Sequence, residues 1–222
     1  MISMEKVVIF GNSSFAQLVY YYLLNDSVFD IMGFTVDSEY IKEDQFCNLP
    51  VFPYEKIEEQ YPPSEYKMFI AIGYSVVNTI RAQKYHDAKK KGYQLISYIG
   101  SKVNYWPDLK IGENCFIHEN PTIQPFVEIG NNVIINGSSY IAHDSFIKDH
   151  CYIAGSACIG GMVTIEPYCF VGMNTTIKDH VIIRKMGIIG QGSVVNSDTD
   201  EKGVYSGNPA KKIYHNSLKV KI

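Results

Sequence analysis

The sequence lacks the features that mark several large classes of protein. Among its 222 residues, 20 Lys and Arg stand against 23 Asp and Glu, so it has no basic excess of the kind that nucleic-acid binding requires. No apolar run is long enough for a membrane span. The first residues, MISMEKVVIFGNSS, have no basic region followed by a long apolar core, so we expect no signal peptide. These absences argue against a nucleic-acid-binding or membrane-spanning protein.

The cysteines show no Cys-x-x-Cys spacing. There are five of them, an odd number, which does not suit a complete disulfide framework. Cys115, Cys151 and Cys169 share one phase of the repeat described next, and we expect that phase to point inward. Small buried thiols are the ordinary state of such residues. We therefore expect reduced cysteines and a cytoplasmic protein.

A repeat of six residues dominates the second half of the chain. From position 111 to position 195, every sixth residue is isoleucine or valine, without a break in phase. A helix would need apolar spacing near 3.6 and a simple strand near 2, whereas a fixed period of six is typical of a parallel β-helix. Each hexad should form one short strand and one turn, and three hexads should form one coil. Successive coils should stack about 4.8 Å apart.

The first half of the chain alternates strand and helix patterns. Apolar runs predict strands at residues 6–11, 30–36, 67–73 and 94–99, and apolar spacing predicts helices at residues 15–24, 55–60 and 76–91. Residues 49–54, LPVFPY, are interpreted as a loop because they hold two prolines. This alternation is typical of a small parallel α/β domain. We therefore predict an α/β domain at residues 1–100 and a β-helix at residues 101–222, with a glycine- and proline-rich cap at residues 203–213.

Small and polar residues follow three of the predicted strands. Parallel α/β domains bind ligands at the carboxyl ends of their strands. The glycines there would let backbone amides approach a ligand, a helix N-terminus favours an anion, and an aspartate can accept hydrogen bonds from a ribose or base. The segment does not match the dinucleotide fingerprint, which needs more glycines. The candidate ligand-binding residues are Gly11, Asn12, Ser13, Ser14, Asp37 and Gly73.

His143 is the strongest candidate for chemistry, because Asp144 follows it directly. A carboxylate beside an imidazole can hold its tautomer and raise its basicity. Asn136 lies seven positions earlier and could orient a substrate. Gly161 lies eighteen positions later, which is one full coil, so it should stack next to His143. The other histidines of the repeat, His118, His150 and His180, are predicted to face outward.

The hexad pattern resembles the left-handed β-helix of the hexapeptide-repeat acyltransferases. The α/β domain, the segment INGSSYIAHDS, the glycine pair one coil later and the terminal GNPAKKI together resemble a narrower family. This is the sialic-acid O-acetyltransferase and amino-sugar N-acetyltransferase family. The resemblance spans the whole chain and implies a Rossmann-like first domain, acetyl-CoA as acyl donor, no metal, and a homotrimer. One departure is the loop GNSSFAQ, where family members commonly carry a glycine-rich loop with a histidine.

The resemblance also implies roles for particular residues. His143 would be the general base, with Asp144 matching the acidic residue that polarises it, and Asn136 would contact the sugar amino group. The Gly161 amide would face the thioester carbonyl. The pantetheine arm would lie on the backbone of Gly190 and Gln191, and the cofactor phosphates near Lys211 and Lys212. The first domain would bind the sugar nucleotide through the candidate residues given above.

Four functions remain open at this point. The first is N-acetylation of a nucleotide-linked amino sugar of the 4-amino-4,6-dideoxy type, for bacterial surface glycans. The second is O-acetylation of a sialic-acid-like sugar. The third is a γ-type carbonic anhydrase, for which His118, His143 and His150 would be the zinc ligands. The fourth is a scaffold or effector-binding protein, which the intact His-Asp pair disfavours.

Overall fold

The computed structural model describes residues 4–220 and divides them into two compact units. Residues 4–73 and Gln83–Tyr98 form the first unit, and Tyr74–Ala82 with residues 99–220 form the second. The segment Tyr74–Ala82 therefore belongs with the repeats, although it lies inside the predicted first domain. No helix among residues 4–220 is long and apolar enough to cross a bilayer.

The first unit is built on a five-stranded sheet. Its order is β3-β4-β2-β1-β5, with parallel pairing throughout except between β3 and β4. Helix α1 packs through Ala16, Val19 and Leu23, which recur at helical spacing and are fully buried. The elements are β1 (Glu5–Phe10), α1 (Ser14–Asp26), β2 (Phe29–Val36), β3 (Gln45–Phe46), β4 (Leu49–Pro53), α2 (Ile57–Gln60) and β5 (Lys67–Ile70). Helix α3 (Thr79–Lys90) belongs to the first unit from Gln83 onward, and its first turn belongs to the second unit.

Several boundaries differ from the sequence predictions. The segment predicted as a loop forms β4, which pairs with β3 through a hairpin whose two turn residues, Cys47 and Asn48, have positive φ. Of the predicted strand at residues 94–99, only Tyr98–Ile99 forms a named strand, β6. Helix α3 begins at Thr79 rather than at residue 76, because Val76, Val77 and Asn78 adopt left-handed backbone angles.

The second unit is the predicted parallel β-helix, with three faces. Face one holds β7 (Lys110–Ile111), β10 (Glu128–Ile129), β13 (Phe146–Ile147), β16 (Thr164–Ile165) and β19 (Ile182–Ile183). Face two holds β8 (Phe116–Ile117), β11 (Ile134–Ile135), β14 (Tyr152–Ile153), β17 (Phe170–Val171) and β20 (Ile188–Ile189). Face three holds β9 (Thr122–Ile123), β12 (Tyr140–Ile141), β15 (Cys158–Ile159), β18 (Thr176–Ile177) and β21 (Val194–Val195).

The repeated Ile and Val fill the interior of this β-helix. Each strand pairs with the strand eighteen residues away, so that Ile135 lies against Ile117 and Ile153. The Ile and Val positions from 117 to 195 are buried in one continuous core, together with Cys115, Cys151 and Cys169. The inward phase predicted from the sequence is therefore confirmed.

The predicted cap at residues 203–213 is a hairpin rather than a turn. Its strands are β22 (Val204–Ser206) and β23 (Lys211–Tyr214), which pair antiparallel with each other. Because β22 also pairs with β20, the hairpin continues face two and covers the end of the hydrophobic interior.

Four-residue turns form the three corners, and each turn bends in the same way. The third turn residue has a left-handed backbone in coil after coil, as at Asn114, Asn132 and Asp144. Asparagine and aspartate tolerate this conformation better than most residues. We name the corners by the faces they join. His150 lies at the 1–2 corner, Asn136 at the 2–3 corner and His143 at the 3–1 corner.

Candidate active site

His143 and Asp144 form a close pair at the 3–1 corner. The His143 Nδ1 lies 2.8 Å from Asp144 Oδ2, and both side chains are about half exposed. An Nδ1–H that donates to the carboxylate leaves Nε2 as the basic nitrogen. The His143 backbone N–H donates to Gln124 Oε1 at 3.1 Å, one coil below. This arrangement presents one imidazole nitrogen to solvent in a fixed tautomer.

Gly161 lies directly against the His143 ring, as the eighteen-residue spacing predicts. A Cβ atom at position 161 would come within 3.0 Å of both Cε1 and Nε2 of His143. A contact this close would require the ring to move by a few tenths of an ångström, because protein interiors are closely packed. Glycine at this position therefore leaves room for the imidazole.

The Gly161 N–H, which the resemblance placed against the thioester carbonyl, already has an acceptor in this structure. It donates to Asp179 Oδ1 at 2.9 Å, so it is not open to a thioester carbonyl in this structure. The neighbouring N–H groups of Gly160 and Met162 donate to the carbonyls of Ile177 and His143. The contact between Gly161 and Asp179 could have been predicted from the repeat, because the two residues are eighteen positions apart. The same spacing places Asp149 Oδ1 on the Asn131 N–H.

The three histidines considered as zinc ligands do not meet. His118 lies at the 2–3 corner, His143 at the 3–1 corner and His150 at the 1–2 corner. His150 is also not outward-facing as predicted: it is 4 % exposed, and its Nδ1 lies 2.9 Å from Asn132 Nδ2 in a side-chain ladder along the corner. His118 is partly buried, and burial lowers the pKa of its imidazole. Among residues 4–220, no cluster of three or more His, Cys, Asp or Glu side chains is arranged to hold a metal ion.

Asn136 occupies a different corner from His143. It donates from Nδ2 to the Ile153 carbonyl at 3.1 Å and lines a groove of about 370 Å³ at the 2–3 corner. Gln191 lines the same groove. The Gly190 N–H, part of the backbone that the resemblance assigned to the pantetheine arm, donates to the Tyr205 carbonyl at 2.8 Å.

The two terminal lysines differ in their surroundings. Lys211 is exposed on β23, whereas Lys212 Nζ lies 2.5 Å from Asp200 Oδ2. The hydrogen bond with Asp200 raises the pKa of Lys212 and lowers that of Asp200. Much of the positive charge at position 212 is therefore already compensated.

The candidate residues of the first unit lie at one edge of its sheet. Gly11, Asp37 and Gly73 follow the adjacent strands β1, β2 and β5. Gly11 has a φ of +134°, and a Cβ there would come within 2.7 Å of the Ala71 carbonyl oxygen, so only glycine fits. Ser13 is the N-cap of α1 and Ser14 its first residue.

Polar contacts already involve two of these residues. Asn12 donates to the Tyr40 carbonyl at 2.9 Å and lines a groove of about 300 Å³. Asp37 pairs with Lys84, whose Nζ lies 2.5 Å from Oδ1. Lys84 was not predicted from the sequence, where it is one of several lysines on an amphipathic helix. A ligand of Asp37 would meet an ion pair rather than a lone carboxylate.

Comparisons with known proteins agree with this two-part organisation. Residues 6–88 match the family model of the PglD N-terminal domain, and residues 97–204 match that of the GMPPB C-terminal domain. No curated protein sequence matches the chain. The match of residues 6–88 to the PglD N-terminal domain agrees with the family resemblance stated from the sequence.

Solved structures match almost the whole chain. A variant of GDP-perosamine N-acetyltransferase from Caulobacter crescentus, in complex with CoA and GDP-perosamine, has a TM-score of 0.83 and 22 % identity, over 97 % of this chain and 99 % of that one. The acetyltransferase domain of PglB from Neisseria gonorrhoeae has a TM-score of 0.83 and 18 % identity, over 94 % and 100 %. WeeI from Acinetobacter baumannii has a TM-score of 0.70 and 23 % identity, over 95 % and 100 %. These likenesses establish the fold, an α/β domain followed by a left-handed parallel β-helix.

Proposed function

We propose that this chain, whose first domain is of the PglD type, is an acetyl-CoA-dependent N-acetyltransferase of a nucleotide-linked amino sugar. The substrate class is a 4-amino-4,6-dideoxy sugar used for bacterial surface glycans. The observation that carries the proposal is the His143–Asp144 pair, with its Nδ1 to Oδ2 distance of 2.8 Å, held over a glycine coil. The similarity to a structure with bound CoA and GDP-perosamine supports the same substrate class.

In this mechanism, His143 acts as general base. Its Nε2 removes a proton from the sugar amine as the nitrogen attacks the carbonyl carbon of acetyl-CoA. The tetrahedral intermediate then collapses, the carbon–sulfur bond breaks, and the coenzyme A thiolate leaves and takes up a proton. Asp144 accepts the Nδ1–H and stabilises the imidazolium that forms. Hydrogen-bond donors at the developing oxyanion typically contribute about 3 kcal/mol; Gly161 can donate there only after Asp179 has released its N–H.

Both substrates have candidate binding surfaces. The sugar nucleotide is assigned to the carboxyl edge of the first sheet, at Gly11, Asn12, Ser13, Ser14, Asp37 and Gly73, where Asp37 forms an ion pair with Lys84. Acetyl-CoA is assigned to the end of the β-helix near Gln191 and the exposed Lys211. Because the Gly190 N–H and the Lys212 ammonium are already engaged, they contribute less than the resemblance implied.

A homotrimer would bring the separated parts of the site together. Asn136 and His143 lie at different corners of one protomer, on either side of β12. Face three and its corners expose large apolar side chains, namely Phe126, Tyr140, Met162 and Met173, which suits a surface that is covered by a second copy. We infer that the 3–1 corner of one protomer faces the 2–3 corner of the next. The free thiols of all five cysteines support a reducing, cytoplasmic setting.

The test is a substrate panel. Purified protein is incubated with acetyl-CoA and a series of nucleotide-linked amino sugars, with nucleotide-linked neutral sugars and free sialic acid as comparisons. Thiol release is followed, and products are identified by mass and by base-stable or base-labile acetyl linkage. We expect release of coenzyme A only with amino sugars and a base-stable amide product. A base-labile ester on sialic acid would instead establish the O-acetyltransferase alternative.

A further inference from the structure

The groove at the 2–3 corner has a wall made of three aromatic rings. Tyr152 and Phe170 are paired neighbours on face two, and their rings stack with centroids 5.5 Å apart and planes 16° apart. The ring of Tyr74 packs against both, at centroid distances of 4.9 Å and 5.0 Å. Asn136 and Met173 complete this part of the groove. Tyr74 remains 37 % exposed despite these contacts.

The segment that carries Tyr74 is strained. Val76, Val77 and Asn78 have φ angles of 48°, 50° and 63°, a run of three left-handed residues in which two are β-branched. This conformation is less stable than the right-handed one for such residues, because Cβ comes close to the following carbonyl oxygen. Strain of this kind persists only where surrounding contacts impose it, and it is concentrated at functional sites.

Two buried polar side chains impose this conformation. Asn78 donates from Nδ2 to the carbonyls of Tyr168 and Cys169, at 3.3 Å and 3.2 Å. Arg81 donates from Nη2 to the carbonyls of Asn132 and Cys151, both at 3.1 Å. Both side chains are 0 % exposed. Burial lowers the pKa of Arg81 to about 10, so the guanidinium stays charged at neutral pH.

The second unit thus fixes an aromatic ring that the fold does not bury. Val77 packs against Ile188 and Val204 and anchors the segment to the second unit. The hydrogen bonds of the buried Asn78 and Arg81 also fix the backbone path that carries Tyr74. The hydrogen bonds from the charged Arg81 are stronger than neutral ones, and with those of Asn78 they help to offset the strain. The result is a preorganised aromatic wall that faces the groove.

The lining of the groove selects the chemistry of its ligand. No charged side chain is present among the described residues that line it, so it does not suit a phosphate. Three aromatic rings and Met173, with the side-chain amides of Asn136 and Gln191 as the polar groups of the lining, suit a ligand with an apolar face and uncharged polar substituents. We propose that the groove binds the sugar ring of the substrate, with the C6 methyl group against Tyr74, Tyr152 and Phe170 and the amino substituent near Asn136.

This assignment rests on the proposed function and identifies the residues that determine which amino sugar the enzyme prefers. Tyr74 is a substrate-contacting residue, and Arg81 is a positioning residue that acts through it. A hydrophobic pocket separates substrates that differ by one methyl or hydroxyl group by about 10–100-fold. The groove therefore favours a 6-deoxy amino sugar over its 6-hydroxy counterpart by about that factor in kcat/KM.

The experiment compares nucleotide-linked 4-amino-4,6-dideoxyhexose with the matching 6-hydroxy sugar on the same nucleotide. We expect Tyr74→Ala to reduce the preference to less than about threefold, mainly through KM for the 6-deoxy sugar, while KM for acetyl-CoA stays constant. Tyr74→Phe should keep the preference. Tyr105→Ala is the matched control, because Tyr105 is similarly exposed, at 42 %, and lies away from the groove lining. Arg81→Met should reduce the preference with Tyr74 intact.

Failure of this inference can be distinguished from failure of the proposed function. If amino sugars are acetylated and Tyr74→Ala retains the full 6-deoxy preference, the sugar assignment is overturned and the acetyltransferase assignment stands. If the wild-type protein acetylates no amino sugar, binding of the methyl glycoside of 4-amino-4,6-dideoxyhexose is measured by saturation-transfer NMR. If saturation is transferred to the C6 methyl protons by the wild-type protein and not by Tyr74→Ala, the result supports binding of the sugar in the groove. Equal transfer by both proteins overturns that assignment.

Discussion

At the scale of single residues, the imidazole of His143 is the group on which the proposed chemistry depends. Replacing it by alanine should lower kcat by about 10²–10⁴-fold, the usual contribution of a general base, and change the KM for acetyl-CoA little. Asp144→Asn should cost less, because the ring keeps a hydrogen-bond partner. His86→Ala, an exposed histidine of α3, is the control. Steady-state kinetics measure these effects, and full activity of His143→Ala would show that His143 is not the general base.

Gly161 gives a second test at this scale. A methyl group there would lie 3.0 Å from two atoms of the His143 ring, so Gly161→Ala should displace the imidazole. The ring would have to move by a few tenths of an ångström, and a displacement of about 1 Å would cost about 10²-fold in rate. We therefore expect a loss of kcat of about 3–10-fold with an unchanged circular dichroism spectrum. Gly137→Ala is matched to it, since its Cβ would lie 3.1 Å from the Glu119 carbonyl oxygen at another corner, and it should keep near-normal activity.

His118 should make the stability of the protein sensitive to acid. Burial lowers the pKa of its imidazole in the folded state, whereas the unfolded chain takes up the proton near pH 6.5. Below that pH the unfolded state binds more protons than the folded state, so the free energy of unfolding falls as the pH falls. His118→Asn should therefore lose less stability than the wild type between pH 7.5 and pH 5.0 in urea titrations. His86→Asn is the control, and an identical loss in all three proteins would contradict the expectation.

At the scale of the repeat, neighbouring residues of one strand should behave in opposite ways. Ile165 is 0 % exposed in the continuous core, whereas Thr164 points outward on face one and is half-buried. Ile165→Asp buries an unpaired charge and should cost about 4 kcal/mol or more of unfolding free energy. Thr164→Asp should cost less than about 1 kcal/mol. Thermal and urea unfolding measure both, and similar losses would mean that the inward phase is misassigned.

The repeat was predictable because its signal is local and redundant. Each hexad repeats the same apolar position, and the stacking of Gly161 on His143 follows from counting one coil. Helix α3 was predicted three residues too early, because nothing in the letters of Val76, Val77 and Asn78 indicates left-handed angles. Those angles are imposed by Asn78 and Arg81 through carbonyls that are 50 or more residues distant in sequence.

The role expected for the Gly161 N–H shows a different kind of limit. The resemblance implied that the Gly161 amide faces the thioester carbonyl, whereas in this structure the carboxylate of Asp179 accepts that N–H. Asp179 lies eighteen residues after Gly161, so its position was predictable from the repeat. Its orientation was not, because an exposed aspartate can face either the backbone or solvent. Strand β4 was predicted as a loop because its sequence contains two prolines, which are unusual in strands. It nevertheless pairs with β2, through three residues.

At the scale of the whole molecule, the separation of Asn136 from His143 bears on assembly. The two residues lie at different corners, on either side of β12, so one protomer does not place them side by side. A cyclic trimer has three equivalent heterologous interfaces, and each would join the His143 corner of one copy to the Asn136 corner of the next. The wild-type protein should therefore sediment as a trimer. Asn136→Ala should reduce activity, because every site of the trimer would lose one contact with the substrate.

Mixing two variants of reduced activity tests this arrangement directly. His143→Ala and Asn136→Ala protomers, unfolded together and refolded at equal amounts, should assemble at random into trimers. If each site takes its histidine and its asparagine from different protomers, every mixed trimer contains one wild-type site in three, so about a quarter of all sites regain activity. If both residues belong to one protomer, no wild-type site can form and the mixture stays as inactive as its parents. Refolded wild-type protein sets the full scale, and each variant refolded alone sets the background.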